Sequence, residues 1–438
     1  MADQNSKDNI IPRDDLPREE NTAKGGQTGP LDVPQENKGE DMPDLQDEML
    51  ARPPLPIRHV IPDTEVEERQ PAQREIREAM SGAPGIAEPE MTQPSVSILK
   101  KRWQKFKMLK RGYYSFLLLA ILYPLSFALP LLMNKTALVV HYDGEYFFPT
   151  FNYYSGATFG QDLAMGGETD YRKLDEAFEK EGGSNWVLMP PYPWDPYEVD
   201  FDAGESFPLK PSGRHWLGTD DTGRDVFARM CYGFNVSLSF AILLTIIEYL
   251  IGAALGGLMG YAGGLIDLLG QRFVEIWSTV PFLYTVIIVS SILIPNFAIL
   301  ILVISLFSWI SISYYMRGEF LREKSKDYVA AAIALGVKDR TIIFRHILPN
   351  ALTPVVAFLP FSIVGGISSL VALDYLGFGI PPPMPSWGQM MSVGLGYIES
   401  WWLIVTPFMA MFLTLLLVTF IGEAIREAFD PKVFSRLR

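Results

Sequence analysis

Apolar residues along the chain collect in runs of about twenty, the length needed to cross a bilayer as a helix. The runs fall at about Tyr113–Met133, Val236–Tyr261, Arg272–Leu293, Phe297–Met316, Pro354–Leu373 and Trp401–Gly422. Polar stretches separate them. The pattern predicts an all-α membrane protein with about six transmembrane helices. Between the first two runs lies a long stretch rich in Tyr, Pro and Trp, including Pro190-Pro191-Tyr192-Pro193-Trp194. It reads as an ordered but irregular lobe with short strands such as Ala137–Tyr142. Before the first run, residues 1–99 show no lasting apolar period and read as a disordered tail.

Charge orients this arrangement. The net charge of the 438-residue chain is −13. Residues 1–99 hold 21 acidic and 10 basic side chains, so −11 of the charge sits in the tail. Lys100, Lys101, Arg102, Lys105, Lys107, Lys110 and Arg111 then crowd before the first span. Lys135 to Lys210, just after that span, has 14 acidic and 5 basic residues. Basic residues stay on the cytoplasmic side, so the first span runs outward. Seven basic residues return between Arg317 and Arg345, and none occurs from there to Arg426. Six spans with both termini cytoplasmic satisfy this bias at every loop. Five segments follow. They are an acidic cytoplasmic tail (1–99), a basic anchor with the first helix (100–133), a periplasmic lobe (134–235), a five-helix core (236–425) containing an inner loop at 317–350, and a cytoplasmic C-terminal tail (426–438). Trp401 and Trp402 suit an interfacial anchor at the outer end of the last span.

Several chemistries are excluded. Nucleic-acid binding needs concentrated positive charge, and the balance here is acidic. The single cysteine, Cys231, offers no thiolate cluster, and His59, His141, His215 and His346 are scattered. No metal-binding spacing exists, and no GxxxxGK[ST] loop is present to bind ATP. The chain is expected to be no enzyme and to bind no cofactor itself.

The inner loop carries the most information. Tyr328, Ala331, Ala332 and Leu335 recur at helical spacing and define one apolar face. Ala330 to Ala334 keep the helix slim, Asp327 precedes it, and Gly336 is placed to end it. Asp339 is placed to cap a second helix through His346, which Pro349 ends. A slim helix facing the cytosol suits insertion into a partner's groove or packing on its own bundle.

Two intramembrane or outer acids stand out. Glu248 lies within the second span, where an acid costs about 2.5–3.5 kcal/mol on insertion scales, and such acids face a bundle interior or an aqueous path. Gly252, Gly256 and Gly260 follow it as a small-residue stripe that permits close helix contact. Asp374 is a candidate either for a peptide amine contact or for capping a loop. In Gly218-Thr219-Asp220-Asp221-Thr222-Gly223-Arg224-Asp225, Thr219 or Asp220 is placed to cap a helix, and Asp225 and Arg229 to pair at i, i+4.

Tyr328-Val329-Ala330-Ala331-Ala332-Ile333-Ala334-Leu335-Gly336, followed by His346-Ile347-Leu348-Pro349-Asn350, resembles the EAA loop of ABC importer permeases, with Ala330 standing where that family has Glu. His215-Trp216-Leu217-Gly218-Thr219-Asp220 through Asp225 is similar to a stretch of the C-type dipeptide/oligopeptide permeases. So are Leu376-Gly377-Phe378-Gly379, Pro385-Ser386-Trp387-Gly388 and Gly422 through Pro431. Val140 to Pro149 resembles the Yej branch, whose importers take up oligopeptides and, in some bacteria, microcin C. The resemblance implies an inner-membrane permease that imports oligopeptides or peptide conjugates by ATP-driven alternating access. Its implied partners are a second homologous permease, an ABC ATPase (in this branch one chain with two fused domains) that binds ATP and Mg, a periplasmic peptide-binding protein and membrane lipid. It also implies that Asp327, Tyr328, Ala330, Ala331, Ala332, Leu335, Gly336 and His346 couple to that ATPase. The rival reading is an ion-coupled secondary transporter working through Glu248.

Overall fold

The structure, a computed structural model, describes residues 98–161, 167–201, 204 and 206–429. The expected tail up to residue 97 and the last residues, 430–438, lie outside the described residues.

Helices α1 (Ile98–Met108) and α2 (Lys110–Ser126) lead in, followed by a single turn, α3 (Leu129–Leu132). The predicted first span is therefore a 17-residue helix and a short turn, with Pro124 inside the former. Pro130, at the start of α3, cannot donate to the Ser126 carbonyl and its ring crowds that turn, which accounts for the break at Phe127 and Ala128. The lobe follows. Its sheet has the order β2-β1-β3, both pairs antiparallel, with β1 (Val139–Tyr142), β2 (Glu145–Phe147) and β3 (Trp186–Leu188). Helix α4 (Tyr171–Glu181) is capped by the Asp170 side chain and covers the sheet. Ala137, Val140, Phe159, Tyr171, Leu174 and Phe178 form the lobe's own apolar core.

The bundle begins with α5 (Val226–Ala262), at 37 residues far longer than the predicted span. Helices α6 (Gly264–Ser278) and α7 (Phe282–Ile292) follow, then α8 (Phe297–Lys324). The loop helix α9 (Asp327–Ala334) leads to α10 (Asp339–Thr341), a π-helical turn (Ile342–Ile347), α11 (Leu348–Val355) and α12 (Leu359–Tyr375). Helices α13 (Trp387–Gly396) and α14 (Trp402–Phe429) complete the described chain.

Four apolar stretches among the described residues are long enough to cross a membrane: α5, α8, the α10–α12 run and α14. A fifth is predicted as one straight span over Arg272–Leu293. Here it is two helices, α6 and α7, bent by 68°. Pro281 explains the bend, because it cannot continue the hydrogen-bond ladder and its ring disfavours a helical residue before it. Helix α13 has no counterpart among the predicted spans. Pro349 does not end a helix as expected. It lies in the first turn of α11, just after the π turn, where a missing N–H costs least.

The glycine stripe settles how α5 meets α8. A Cβ on Gly252 would lie 2.7 Å from Ile312 Cβ, one on Gly256 2.2 Å from the Ser313 carbonyl oxygen, and one on Gly260 2.7 Å from the Arg317 carbonyl oxygen. The stripe therefore faces this chain's own α8, backbone against backbone. On the other side of α5, Leu238 and Ala241 join Ile367, Val371, Trp387 and Leu403 in a core shared with α12, α13 and α14.

Candidate functional site

Two regions hold the residues singled out from the sequence. The first is the loop after α8. Val329 and Ala332 of α9 are buried with Phe320, Ile342, Ile347 and Ala351. They are the inward face, so the expected stripe of Tyr328, Ala331, Ala332 and Leu335 is not one surface. Ala332 points into the chain, whereas Asp327, Tyr328, Ala330, Ala331, Leu335 and Gly336 are exposed. Leu335 is 82% exposed and Ile333 52%. The outward side of α9 is thus almost wholly apolar, and Ala330 adds to it where the related loop has an acid.

The helix ends as its glycine predicts. Gly336 has φ +72°. Its N–H donates to the Ile333 carbonyl (2.9 Å) and the Val337 N–H to the Ala332 carbonyl (3.1 Å). This is a Schellman closure, which needs a left-handed residue. Asp339 does not cap from its side chain. Instead it accepts a hydrogen bond from the Tyr261 hydroxyl (2.6 Å), tying the loop to the end of α5. Tyr328 and His346, 18 positions apart, meet through backbone and amide. Asn350 Nδ2 donates to the Tyr328 hydroxyl (3.3 Å) and to the His346 carbonyl (2.8 Å).

Sequence reasoning missed Glu323. This carboxylate, 2% exposed at the end of α8, accepts from Lys326 Nζ (2.6 Å) and the Tyr328 hydroxyl (2.7 Å). It fixes the start of α9 to the end of α8. The signal was an acid five positions before the tyrosine, hidden among many charges.

The second region joins the lobe to α5. Gly218 (φ +74°) and Gly223 (φ +83°) turn the chain where side chains cannot follow. A Cβ on Gly218 would stand 2.5 Å from the Leu209 carbonyl oxygen. Thr219 caps no helix. Its hydroxyl accepts from the Leu209 N–H (2.8 Å), and its carbonyl accepts from the buried Trp402 indole (3.2 Å). Trp402 is thus a peg between α14 and this loop, and only Trp401 is left exposed as an anchor. Asp220 folds the turn. Its Oδ1 accepts from the N–H and hydroxyl of Thr222 and from the Arg224 N–H, and its Oδ2 accepts from Arg224 Nε (2.8 Å).

The cap of α5 is Asp225, whose Oδ1 accepts from the Ala228 N–H (2.7 Å). The expected Asp225–Arg229 pair does not form. Arg229, 1% exposed, reaches the Pro196 and Pro383 carbonyls (both 3.1 Å) and lies 3.5 Å from Asp220 Oδ2. Asp225 Oδ2 is already taken by the Tyr192 hydroxyl (2.6 Å) and by His215. Burial and the Asp225 charge push the Tyr192 phenol far above its ordinary value, so it stays a donor.

The remaining candidates are internal. Asp374 accepts from the Ile380 N–H (2.7 Å) and the Ser386 hydroxyl (2.6 Å), which makes it the cap of the loop before α13. It faces no open site. Glu248 is buried and accepts from the Ser362 hydroxyl of α12 (3.1 Å). Among the described residues no cluster of His, Cys, Asp and Glu could hold a metal ion.

Membrane-length helices, a buried polar joint to the lobe and a capped apolar helix on a loop define a multi-helix membrane protein. Residues 252–435 match the family described as "Binding-protein-dependent transport system inner membrane component". The chain belongs to this family of ABC transporter permeases, whose membrane subunits carry no ATPase site of their own. It is 42% identical over 332 residues to the inner membrane ABC transporter permease protein YejE of Escherichia coli, covering 75% of this chain and 96% of that one. It is 40% identical to the peptidoglycan transport system permease protein YejE of Agrobacterium fabrum, covering 76% and 93%. Identity to the oligopeptide transport system permease protein OppC of Haemophilus influenzae is 36%, covering 55% and 78%. Membership implies an ATPase and a substrate-binding protein as partners, and gives the ion-coupled reading no support.

Proposed function

We propose that this chain is one of two permease subunits of an importer for oligopeptides or peptide conjugates, and that it takes its drive from a partner ATPase through α9. The observation that carries this reading is the outward face of α9. A short helix is fixed by Val329 and Ala332 on one side and leaves Ala330, Ala331, Ile333 and Leu335 uncovered on the other. Such a face is stable in water only at a cost in exposed apolar area, which a partner's groove removes. The relatives named for oligopeptide and peptidoglycan transport support a substrate containing peptide bonds, with microcin C-like conjugates within that class.

In this reading the α9 loop is cytoplasmic, with both termini, and the lobe between α3 and α5 is periplasmic and meets the binding protein. ATP and Mg bind the ATPase, in one chain with two fused domains. ATP binding draws the α9 helices of the two permeases together and turns the bundle outward. Moving such an equilibrium from 1:99 to 99:1 takes about 5.5 kcal/mol of differential binding, a plausible yield for two ATP molecules. Asp327, Tyr328, Gly336 and His346 act by shaping the loop. Ala330, Ala331 and Leu335 act by contact, and Ala332 by packing inward. The motif from Gly218 to Asp225 holds the outer joint. Glu248 and Asp374 serve packing.

The test is reconstitution of the tagged chain with its second permease, ATPase and binding protein in proteoliposomes. Peptide uptake that requires ATP and is lost in Ala331→Trp, with the ATPase no longer retained on the permease, is the expected result. Retention of the ATPase by that variant would remove α9 as the contact.

A further inference from the structure

His215 is 1% exposed, and both of its ring nitrogens face carboxylates. Nδ1 lies 2.8 Å from Asp225 Oδ2, the cap of α5, and Nε2 lies 3.0 Å from Asp200 Oδ2, at the end of the lobe segment. A neutral imidazole has one N–H and one lone pair. It can donate to only one of these oxygens and would set its lone pair against the other. Only the imidazolium donates to both.

The surroundings balance that charge. Arg214 Nη2 donates to Asp200 Oδ1 (2.7 Å), so His215, Arg214, Asp200 and Asp225 together sum to zero when the ring is protonated. Tyr192 donates to the same Asp225 oxygen. The Trp194 ring lies 4.3 Å from the imidazole, centroid to centroid. Beyond it, Arg172 stacks at 3.9 Å on that indole and is paired with Glu198, so it adds no net charge. Deprotonation would leave one uncompensated negative charge among a ring and two carboxylates that are themselves closed to water.

We propose that His215 is a proton-operated clasp, which locks the lobe to the start of α5 while its ring is doubly protonated and loosens that joint when the proton leaves. The sign follows from linkage. Burial works against the charged ring, but the hydrogen bonds and charges of Asp225 and Asp200 outweigh it and raise its pKa above the ordinary value. A group raised in the folded state contributes fully below its unfolded value of about 6.5, and the contribution is lost as pH rises through the folded value. The clasp is therefore closed in acid and opens on the alkaline side. It does not depend on the proposed substrate. Its place in transport rests on the lobe facing the periplasm, where external pH reaches it.

The experiment uses the full chain in lipid nanodiscs. Amide hydrogen exchange is followed in peptides covering 192–201 and 209–226 from pH 5.5 to 9, corrected for the intrinsic rate. Wild-type protection should fall with pH from about 6.5, by up to about tenfold per pH unit, the limit for one linked proton, and level off past a midpoint above that value. His215→Gln should abolish the midpoint. Asp200→Asn, which leaves the α5 cap untouched, should move it to lower pH. Flat wild-type protection, an unchanged profile in His215→Gln, or an unmoved midpoint in Asp200→Asn would each overturn the clasp. Should His215→Gln fail to insert, the wild type and Asp200→Asn decide alone.

Discussion

The lobe joint and the α9 loop sit on the two long helices that pack together, and they are built on opposite principles. At the joint, Asp220, Asp225, Arg224, Arg229 and His215 are buried, and nearly every polar atom is met within the chain. At α9, the buried Glu323 carboxylate, Asn350 and the apolar contacts of Val329 and Ala332 hold a helix whose other face is exposed among the described residues. A buried polar network has steep geometric requirements and so fixes one arrangement. An apolar helix held lightly accepts a partner without first breaking bonds. The difference marks where the chain satisfies its own polar groups and where it leaves an apolar face exposed.

The comparison breaks most visibly at the joint. Asp220→Ala strands Arg224 and Arg229, and removing one partner of a buried ion pair costs about 3–5 kcal/mol. The expected outcome is loss of folded protein, read as the yield of monodisperse permease after detergent extraction. Gly256→Leu comes next. Its side chain would enter the Ser313 backbone, and overpacking of this kind costs about 1–3 kcal/mol. A lowered thermal midpoint should appear, together with separation of α5 from α8 by cysteine crosslinking.

At α9 the effects on stability shrink while those on coupling grow. A Cβ at position 336 meets no neighbouring atom, but Gly336→Val forces a β-branched residue to positive φ, a strain of about 1–2 kcal/mol. ATP hydrolysis should persist with peptide uptake reduced or lost, measured in the same proteoliposomes. Tyr328→Phe removes the hydrogen bond to the Glu323 carboxylate, worth about 1.5–3 kcal/mol, and the weaker one from Asn350. It should lower the ATPase affinity by several-fold at most. Ala331→Trp should leave the thermal midpoint unchanged while releasing the ATPase; a large fall in stability instead would mean that α9 is not lightly held.

The long helices were legible because membrane-length apolar runs have few other uses. Their ends were not. Helix α5 begins ten residues before its predicted start, because Asp225 caps it and Arg229 is carried inside by carbonyls from Pro196 and Pro383 that lie far away in sequence. The bend at Pro281 was hidden because the residues on both sides are apolar. The inward face of α9 was misread for a related reason. Periodicity separates two faces only when they differ in polarity, and here Val329 and Ala332 lie opposite equally apolar Ala330, Ala331 and Ala334 and are flanked by Ile333 and Leu335. Gly336 was legible because a left-handed closure leaves its mark in one residue. The His215 network was not, since Asp200, Tyr192 and Asp225 are joined only by the fold.

Helices α5 and α8 touch through glycines at three successive levels, with carbonyl oxygens where side chains would normally lie. Side chains can swivel past one another, but main chains in contact cannot without lifting apart. The pair therefore behaves as a single stiff beam. Only Ser325 and Lys326 separate its α8 end from α9, and the buried joint holds the first turn of α5. A push at the loop helix has little slack to be lost in before it reaches the lobe, so what happens at one end of the beam is felt at the other as displacement.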